Sequence, residues 1–422
     1  MKVLVETLGC RANHYDSERV KAMVTASGGE IVSDAADADF AVYNSCAVTA
    51  DAEADLRQKV RRAARKNPGI RSVIMGCASG FELSRGVDAT GDRTRLRALP
   101  TVETLVAGAD LGAVASALDL ARREGAASQS GARALLRIQD GCDEHCTFCA
   151  TTIARGASRS RPIESLIDEA ARLAEAHNEI VLTGIHIGSF GAEIGSSLSR
   201  LVEHLIERVP GVRFRLSSLE ATEVDERMAA IFRAAPDRLC PYLHAPLQSG
   251  SDTVLRRMGR HWYNSATYRC AIERIIDGQP VFGLGADVIA GFPGETDEDH
   301  RATVRLVESL PFTSLHVFPY SARPGTAAPK LGGAVRPEII SARARELRAI
   351  AAAKSDRYQR ERIGGGADVV VIRQATPESV GQGLTADYLT VALRDVTLER
   401  GARYDARLSL EGGVMTANRS DG

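Results

Sequence analysis

Three cysteines stand within one short stretch, Gly141-Cys142-Asp143-Glu144-His145-Cys146-Thr147-Phe148-Cys149. A C-x3-C-x2-C spacing brings three thiolates onto one tight loop, and soft ligands of this kind favour an iron–sulfur cluster or zinc. The count constrains more than the spacing does. A closed structural zinc site takes four ligands, and no fourth cysteine follows closely. Three thiolates on a four-iron cluster leave one iron open to a small molecule. A C-x2-C redox pair is the other chemistry the stretch offers. A strand signal over 134–139 runs directly into the loop, so its contents sit at a strand's C-terminal end.

The remaining cysteines are Cys10, Cys46, Cys77, Cys240 and Cys270. The first three share a local pattern of a short apolar run, a small residue and then cysteine: Val3-Leu4-Val5 before Gly9-Cys10, Phe40-Ala41-Val42-Tyr43 before Ser45-Cys46, and Val73-Ile74-Met75 before Gly76-Cys77. Each reads as a buried strand. Helical patterns lie between them. Val20, Met23 and Val24 form one apolar stripe. Thr49 is placed to cap the next helix, with Asp51 and Glu53 in its first turn, Arg61, Arg62, Arg65 and Lys66 near its end, and Asn67-Pro68-Gly69 as its stop. Strand C-termini in an open parallel sheet share one edge, so these three cysteines can meet in space. Small buried hydrophobes at strand ends are the ordinary alternative for them. Cys240 and Cys270 lack any ligand pattern and read as core residues.

Residues 121–133 (ARREGAASQSGAR) read as a linker. Beyond it, strand signals at 134–139, 180–183, 212–217, 242–247, 282–290 and 315–320 alternate with helical stretches. Among these are 163–177, with Ile167, Ala170, Ala171 and Ala174 on one face, 198–208 and 296–310. Six strand–helix units imply a partial parallel barrel with its site at the strands' C-terminal ends. A basic helix over 337–362 follows. Short strands at 368–373, 388–393, 403–408 and 414–417, with glycine turns, imply a small antiparallel β-barrel. The expected fold class is therefore α/β. It comprises an N-terminal open parallel α/β domain (1–120), a central partial (βα)6 TIM-like barrel (133–362) and a C-terminal antiparallel β-barrel (363–422).

Composition narrows the setting. With 53 Lys and Arg against 54 Asp and Glu, the chain is not a globally polycationic nucleic-acid binder, although a local basic patch remains open to it. No apolar run reaches the ~18 residues of a membrane span, and the opening Met1-Lys2-Val3-Leu4-Val5-Glu6 has no secretory core. A soluble cytoplasmic protein with no membrane partner is expected. In that reducing compartment eight cysteines are not disulfides.

The C-x3-C-x2-C loop after the first barrel strand is the signature of radical S-adenosylmethionine (SAM) enzymes, and nearly the whole chain resembles the methylthiotransferases among them. The matching stretches are Thr7-Leu8-Gly9-Cys10-Arg11-Ala12-Asn13, Gln139-Asp140-Gly141-Cys142, Ala154-Arg155-Gly156 with Ser158-Arg159-Ser160-Arg161, and Leu182-Thr183-Gly184-Ile185-His186. Further matches are Pro246-Leu247-Gln248-Ser249-Gly250-Ser251, Asp287-Val288-Ile289-Ala290-Gly291-Phe292-Pro293-Gly294-Glu295, and Phe318-Pro319-Tyr320-Ser321 before Arg323-Pro324-Gly325-Thr326. The opening LGCRANHYDSE and the stretch TGIHIGSFG are most similar to the branch acting on N6-threonylcarbamoyladenosine beside the tRNA anticodon. Other branches act on isopentenyladenosine or on a ribosomal-protein aspartate. A non-catalytic iron–sulfur RNA-binding protein is the alternative from another class.

The resemblance implies two [4Fe-4S] clusters and SAM as cofactors. Cys142, Cys146 and Cys149 would hold the cluster that binds and cleaves SAM. Cys10, Cys46 and Cys77 would hold an auxiliary cluster carrying the sulfur to be transferred. Thr183, Gly184, Ser217, Glu220, Gln248 and Gly291 lie near later strand ends and are candidates for SAM contacts; ordinary barrel packing is the alternative for each. Arg155, Arg159 and Arg161 are candidates for phosphates or a substrate carboxylate, and His186 for the substrate pocket. Arg256, Arg257 and Arg260 form a further basic run. Implied partners are tRNA, held in part by a C-terminal RNA-binding (TRAM) domain, an electron donor such as flavodoxin or ferredoxin, and the iron–sulfur assembly machinery. The chain departs from the family pattern at Ala150-Thr151-Thr152, where two aliphatics and a proline are usual, and at Ala78-Ser79-Gly80 after Cys77.

Overall fold

The computed structural model describes residues 1–46, 50–84, 96–120, 129–323 and 325–419. Thr49, Pro324 and most of the expected linker (121–128) lie outside the described residues.

The chain begins with β1 (Lys2–Leu8), α1 (Arg11–Ala26), β2 (Glu30–Val32), β3 (Phe40–Ser45), α2 (Ala50–Lys66), β4 (Arg71–Gly76), α3 (Cys77–Ser84), β5 (Val102–Leu105) and α4 (Leu111–Ala117). These strands form one parallel sheet in the order β2-β1-β3-β4-β5. The three runs legible in sequence are its centre, buried on both faces, as all-parallel sheets require. Val3, Val42 and Val73 pack with Val20 and Val114, while Leu4, Tyr43 and Ile74 pack with Leu56 and Val60 on the opposite face. The flanking β2 and β5 are short and partly exposed, so they carry no apolar run to betray them. Leu8 pairs with Ser45, and Ser45 with Gly76, so the three central strands end level.

The second body contains β6 (Ala134–Arg137), β7 (Gln139–Asp140), α5 (Thr151–Arg155), β8 (Arg159–Ser160), α6 (Ile163–Ala174), β9 (Glu179–Thr183), α7 (Leu198–Arg208), β10 (Arg213–Leu216) and α8 (Glu226–Ala234). It continues through β11 (Tyr242–His244), α9 (Asp252–Arg257), α10 (Ser265–Ile276), β12 (Gly283–Ala290), α11 (Asp297–Ser309), β13 (Ser314–Pro319) and α12 (Pro337–Arg362). Strands β6, β9 and β10 form one parallel sheet, and β11, β12 and β13 another. Parallel bridges Phe214–Leu239 and Ser218–His244 join the two into the expected partial barrel. The helix starts carry local signals: Ser197 caps α7, and a reciprocal Thr296–Asp299 capping box opens α11. Two details differ from the sequence reading. The inward stripe of α6 is Leu166, Ile167, Ala170 and Leu173, which leaves Ala171 on the solvent side. Cys240 is buried as expected, whereas Cys270 is exposed on α10.

The tail forms β14 (Gly366–Arg373), β15 (Gly381–Thr385), β16 (Thr390–Leu393), β17 (Arg403–Glu411) and β18 (Val414–Arg419). They close into a barrel, antiparallel except where β16 meets β18. The sequence conceals β15 because it contains two glycines. Gly383 is needed there, since a Cβ would come within 2.6 Å of Val369 Cγ1.

This small barrel docks on the N-terminal end of the large one through buried charge. Arg213 and Arg215 donate to both carboxylate oxygens of Glu179, which is fully buried, and to the carbonyls of Thr385, Ala386 and Asp368. Burial alone would raise the Glu179 pKa, but Arg215 and Arg213 outweigh it and hold it well below the usual carboxylate range. A depressed folded-state pKa stabilises the fold fully above about pH 4.3, and that contribution is lost as the pH falls further. Replacing Glu179 with Gln strands two buried guanidinium groups. We expect a loss of about 3–5 kcal/mol in denaturant unfolding at neutral pH, with the difference from the unaltered protein shrinking below pH 4.

Candidate functional site

Cys10, Cys46 and Cys77 follow the level ends of β1, β3 and β4 and therefore gather on one edge of the sheet. Gly9, at φ +139°, lets β1 turn into α1 close against Cys46; a Cβ there would stand 2.7 Å from Cys46 Cβ. Cys10 is the N-cap of α1, and Cys77 is the first residue of α3. Burial pushes the Cys77 thiol up, and the guanidinium of Arg155 beside it pulls the other way. Cys46 and Cys77 are buried, and Cys10 is exposed.

The second triad lies on an irregular loop between β7 and α5. The loop is pinned at several points: Cys142 N–H donates to the Gly156 carbonyl, Thr147 N–H to Met258, and the Gln139 amide to Gly141. Gln139 Oε1 also accepts from the backbone of Ile185 and His186, tying the loop to the end of β9. Gly141, at φ +76°, packs so closely on Ala157 that no side chain fits. Helix α5 starts at Thr151 without the family's usual proline. The Thr151 amide instead lies 3.4 Å from Cys149 Sγ.

Each thiol in this loop has a donor. The Glu144 amide lies 3.4 Å from Cys142 Sγ, and Arg260 Nη1 lies 3.3 Å from Cys146 Sγ. His186 places Nδ1 3.8 Å from Cys142 Sγ and Nε2 2.6 Å from Glu223. Burial would lower the His186 pKa, but its bonds to Cys142 and Glu223 push it up to about 10. Such N–H groups suit thiolates bound to a metal centre better than neutral thiols.

Arg155 joins the two triads. It is almost wholly buried, and its Nε donates to Cys77 Sγ at 3.3 Å. Its Nη1 and Nη2 both reach Asp16 Oδ2 at 3.2 Å; Nη1 also reaches Asp140 at 3.2 Å, and Nη2 reaches Asn13 at 2.6 Å. Asp140 stands two residues before Cys142, and Asn13 three residues after Cys10. One cation therefore fixes both loops, and Arg155, expected from sequence as a substrate contact, has its donors in use inside the fold. Arg161 is likewise bound to Glu169, to Tyr15 and to the Arg137 carbonyl. His186 serves Cys142 and Glu223 rather than standing free. Arg257 donates to the carbonyls of Pro293, Leu331 and Gly332, and Arg260 to Cys146 and Glu220. Arg159 remains exposed and lines a cleft of about 570 Å³ beside Arg137, Arg155 and Arg161.

The SAM candidates divide. Thr183, Ser217, Glu220 and Gln248 lie at the ends of β9, β10 and β11 or just beyond, on the same edge as the cysteine loop. Among the described residues, the buried Ser217 hydroxyl finds no hydrogen-bond partner, which leaves it open to a ligand. Gln248 holds a left-handed backbone at φ +61°, costly for a residue other than glycine. Glu220 already accepts from Arg260 and from Trp262 Nε1. Gly184 packs against Gln139 and Ile187, and the space at Gly291 is filled by Ile340 of α12. The small size of these two glycines answers to this packing. Sequence reading gave Arg260 only as part of a basic run and assigned no role to Gln139, Asn13 and Asp16, whose positions inside the matched stretches could have flagged them.

Residues 2–88 match the family described as Uncharacterized protein family UPF0004, and residues 136–307 match the Radical SAM superfamily. The chain is 32% identical over 370 residues to a protein of Thermotoga maritima named threonylcarbamoyladenosine tRNA methylthiotransferase MtaB, covering 86% of this chain and 84% of the relative. It is also 32% identical over 394 residues to a Bartonella henselae protein named tRNA-2-methylthio-N(6)-dimethylallyladenosine synthase, covering 88% and 86%. Among solved structures, the radical SAM methyltransferase TsrM of Kitasatospora setae superposes with a TM-score of 0.52 at 15% identity, over 78% of this chain and 76% of that one. That likeness shows a shared fold.

A positively charged donor to a ligand sulfur stabilises the reduced form of the centre it serves. Arg155→Gln is therefore expected to lower the reduction potential of a cluster at Cys10, Cys46 and Cys77, and Arg260→Gln that of one at Cys142, Cys146 and Cys149. Midpoints unchanged from those of the unaltered protein, in titrations followed by electron paramagnetic resonance, would show that these contacts are not felt.

Proposed function

The chain belongs to the radical SAM methylthiotransferases, and we propose that its substrate is N6-threonylcarbamoyladenosine at position 37 of tRNA, which it converts to the 2-methylthio derivative. The observation that carries this reading is the pairing of two cysteine triads across one buried guanidinium, with the barrel's open strand ends beside them. The 1–120 unit supplies one triad and the 133–362 unit the other, and 363–422 serves as the RNA-binding tail. The donor sets fit the cofactors: three thiols per site, N–H groups aimed at their sulfurs, and an orphaned Ser217 hydroxyl where a polar ligand would bind.

Cys142, Cys146 and Cys149 would hold the [4Fe-4S] cluster that binds SAM, and Cys10, Cys46 and Cys77 the auxiliary [4Fe-4S] cluster. Bound there, SAM and the clusters supply radical cleavage chemistry and the sulfur and methyl groups. The protein's own part is positioning. Arg155 and Gln139 fix the loops, Arg260 and the loop amides set charge at the sulfurs, and Trp262 is held by Glu220 at the mouth. Precise placement of reacting groups carries much of the acceleration in such an arrangement. Arg159, on the open cleft, contacts the tRNA backbone. An electron donor such as flavodoxin or ferredoxin supplies the reducing electron, the iron–sulfur assembly machinery loads the clusters, and the setting is the cytoplasm. No helix among the described residues is long and apolar enough to cross a membrane.

Anaerobically reconstituted protein should contain about eight irons per chain, falling by about half when Cys10, Cys46 and Cys77 are changed to Ala. Nucleoside mass spectrometry of tRNA from a strain lacking the gene should show threonylcarbamoyladenosine without its 2-methylthio form. Loss of a different 2-methylthio nucleoside instead would overturn the substrate assignment.

A further inference from the structure

The two named relatives act on adenosines that differ at N6. A threonylcarbamoyl group ends in a carboxylate, and a dimethylallyl group is wholly apolar. Overall identity does not separate them, since each relative stands at 32%. The charge of the barrel lumen does.

On β12 the residues Leu284, Ala286, Val288 and Ala290 pack into the core, so Gly285 and Asp287 face the other way, into the lumen. Tyr242 and His244 of β11 and Ser314 of β13 lie beside Gly285, and His316 pairs with Asp287. The floor comes from the C-terminal barrel. Tyr388, held at φ +74°, stacks on Tyr242 with ring centres 4.2 Å apart. A strained aromatic persists where its surroundings over-determine it. Its hydroxyl accepts from Arg11 Nη2 at 2.7 Å, which draws the residue next to Cys10 toward this floor.

Among the described residues no carboxylate pairs with Arg11, and Tyr388 takes only one of its five donors. Of the nearby acids, Asp287 is engaged by His244 at 3.0 Å and His316 at 3.4 Å, and Glu18, which lines a cleft with Arg11, is engaged by Lys21 at 2.8 Å. The bond to Asp287 raises the His316 pKa against burial and the charge of Arg11. An apolar substituent here would strip water from an unpaired guanidinium with nothing to replace it. A carboxylate would accept from its free edge in the fork geometry arginine favours.

We propose that Arg11, with His316 beside it, is a carboxylate-binding subsite that selects an acidic N6 substituent over an apolar one. This rests on the reading of the chain as an adenosine-37 methylthiotransferase. Because Arg11 adjoins Cys10, anchoring the substituent there also places the adenine beside the auxiliary triad.

The test uses full-length reconstituted protein and anticodon stem-loops carrying threonylcarbamoyladenosine, its methyl ester or dimethylallyladenosine. The unaltered protein should bind the acid at least about tenfold more tightly than the ester. Arg11→Gln should remove that preference by weakening the acid alone, and Arg11→Lys should restore part of it. His316→Gln should reduce it less. An acid-to-ester ratio unchanged in Arg11→Gln overturns the subsite. Should that variant fail to load iron, the ratio in the unaltered protein decides: equal binding of acid and ester overturns the proposal. Failure of the underlying reading looks different, since the unaltered protein would then methylthiolate the dimethylallyl stem-loop and leave the acid untouched.

Discussion

One guanidinium holds the working parts of this protein in register. Arg155 lies between the sheet that ends in Cys10, Cys46 and Cys77 and the loop that carries Cys142, Cys146 and Cys149. Its donors are divided among Cys77, Asn13, Asp16 and Asp140. Arg137 repeats the arrangement from β6, reaching Asp16 at 2.7 Å and Asp140 at 3.3 Å. Two carboxylates and two guanidinium groups thus close a compact network across the boundary between bodies. Removing Arg155 or Asp16, the two buried members, leaves charge in a place water does not easily reach. The relative position of the two triads is therefore set by hydrogen-bond directions, which are far narrower than the tolerances of apolar packing.

The same device recurs at the other end of the barrel. Glu179 gathers Arg213 and Arg215, and those arginines reach backbone carbonyls of the small β-barrel. Tyr358 and Arg362, near the end of α12, both bind Asp387, one residue before Tyr388. The tail is thereby fixed well enough to lend Tyr388 to the lumen, where it meets Arg11 from the first body. Residues of all three bodies thus meet at Arg11, Tyr388 and Tyr242, and a nearly neutral overall charge conceals the local guanidinium. This guanidinium stands out because, among the described residues, no carboxylate pairs with it, not because of how many arginines the chain has.

Much of this was legible in the sequence, for identifiable reasons. Cysteine spacing needs no tertiary context, and the buried parallel strands announced themselves as apolar runs because both of their faces are covered. The six barrel strands and the long helix Pro337–Arg362 were recovered closely for that reason. Partially exposed β2 and β5 and glycine-containing β15 were hidden, because nothing in their side chains marks burial. Charged residues were the weakest ground. Arg155, Arg159 and Arg161 look alike in sequence, yet only Arg159 is exposed. Which arginine is buried depends on Asp16 and Glu169, and Asp16 lies more than a hundred residues upstream. Gly184 and Gly291 pose the same difficulty: a glycine reports close approach but not what approaches, and here Gln139 and Ile340 are among the neighbours.

Buried ion pairs are poor stabilisers, because desolvation cancels most of their attraction and apolar replacements of equal volume often hold a fold as well. Their retention at Arg155 and Arg260 therefore calls for a reason other than stability. Both donate to a cysteine sulfur at 3.3 Å, and no apolar side chain can do that. Methionine or leucine at 155 would fill the space, but it would leave Cys77 without that donor and Asp16 with Arg137 alone as its counter-charge. The aspartates then have a secondary purpose: they hold the guanidinium by its far edge so that Nε faces sulfur. Glu220 does the same for Arg260, which it grips opposite Cys146. The ionic networks at both triads are best understood as mounts for a hydrogen bond to sulfur, with the docking of the bodies following from the mount.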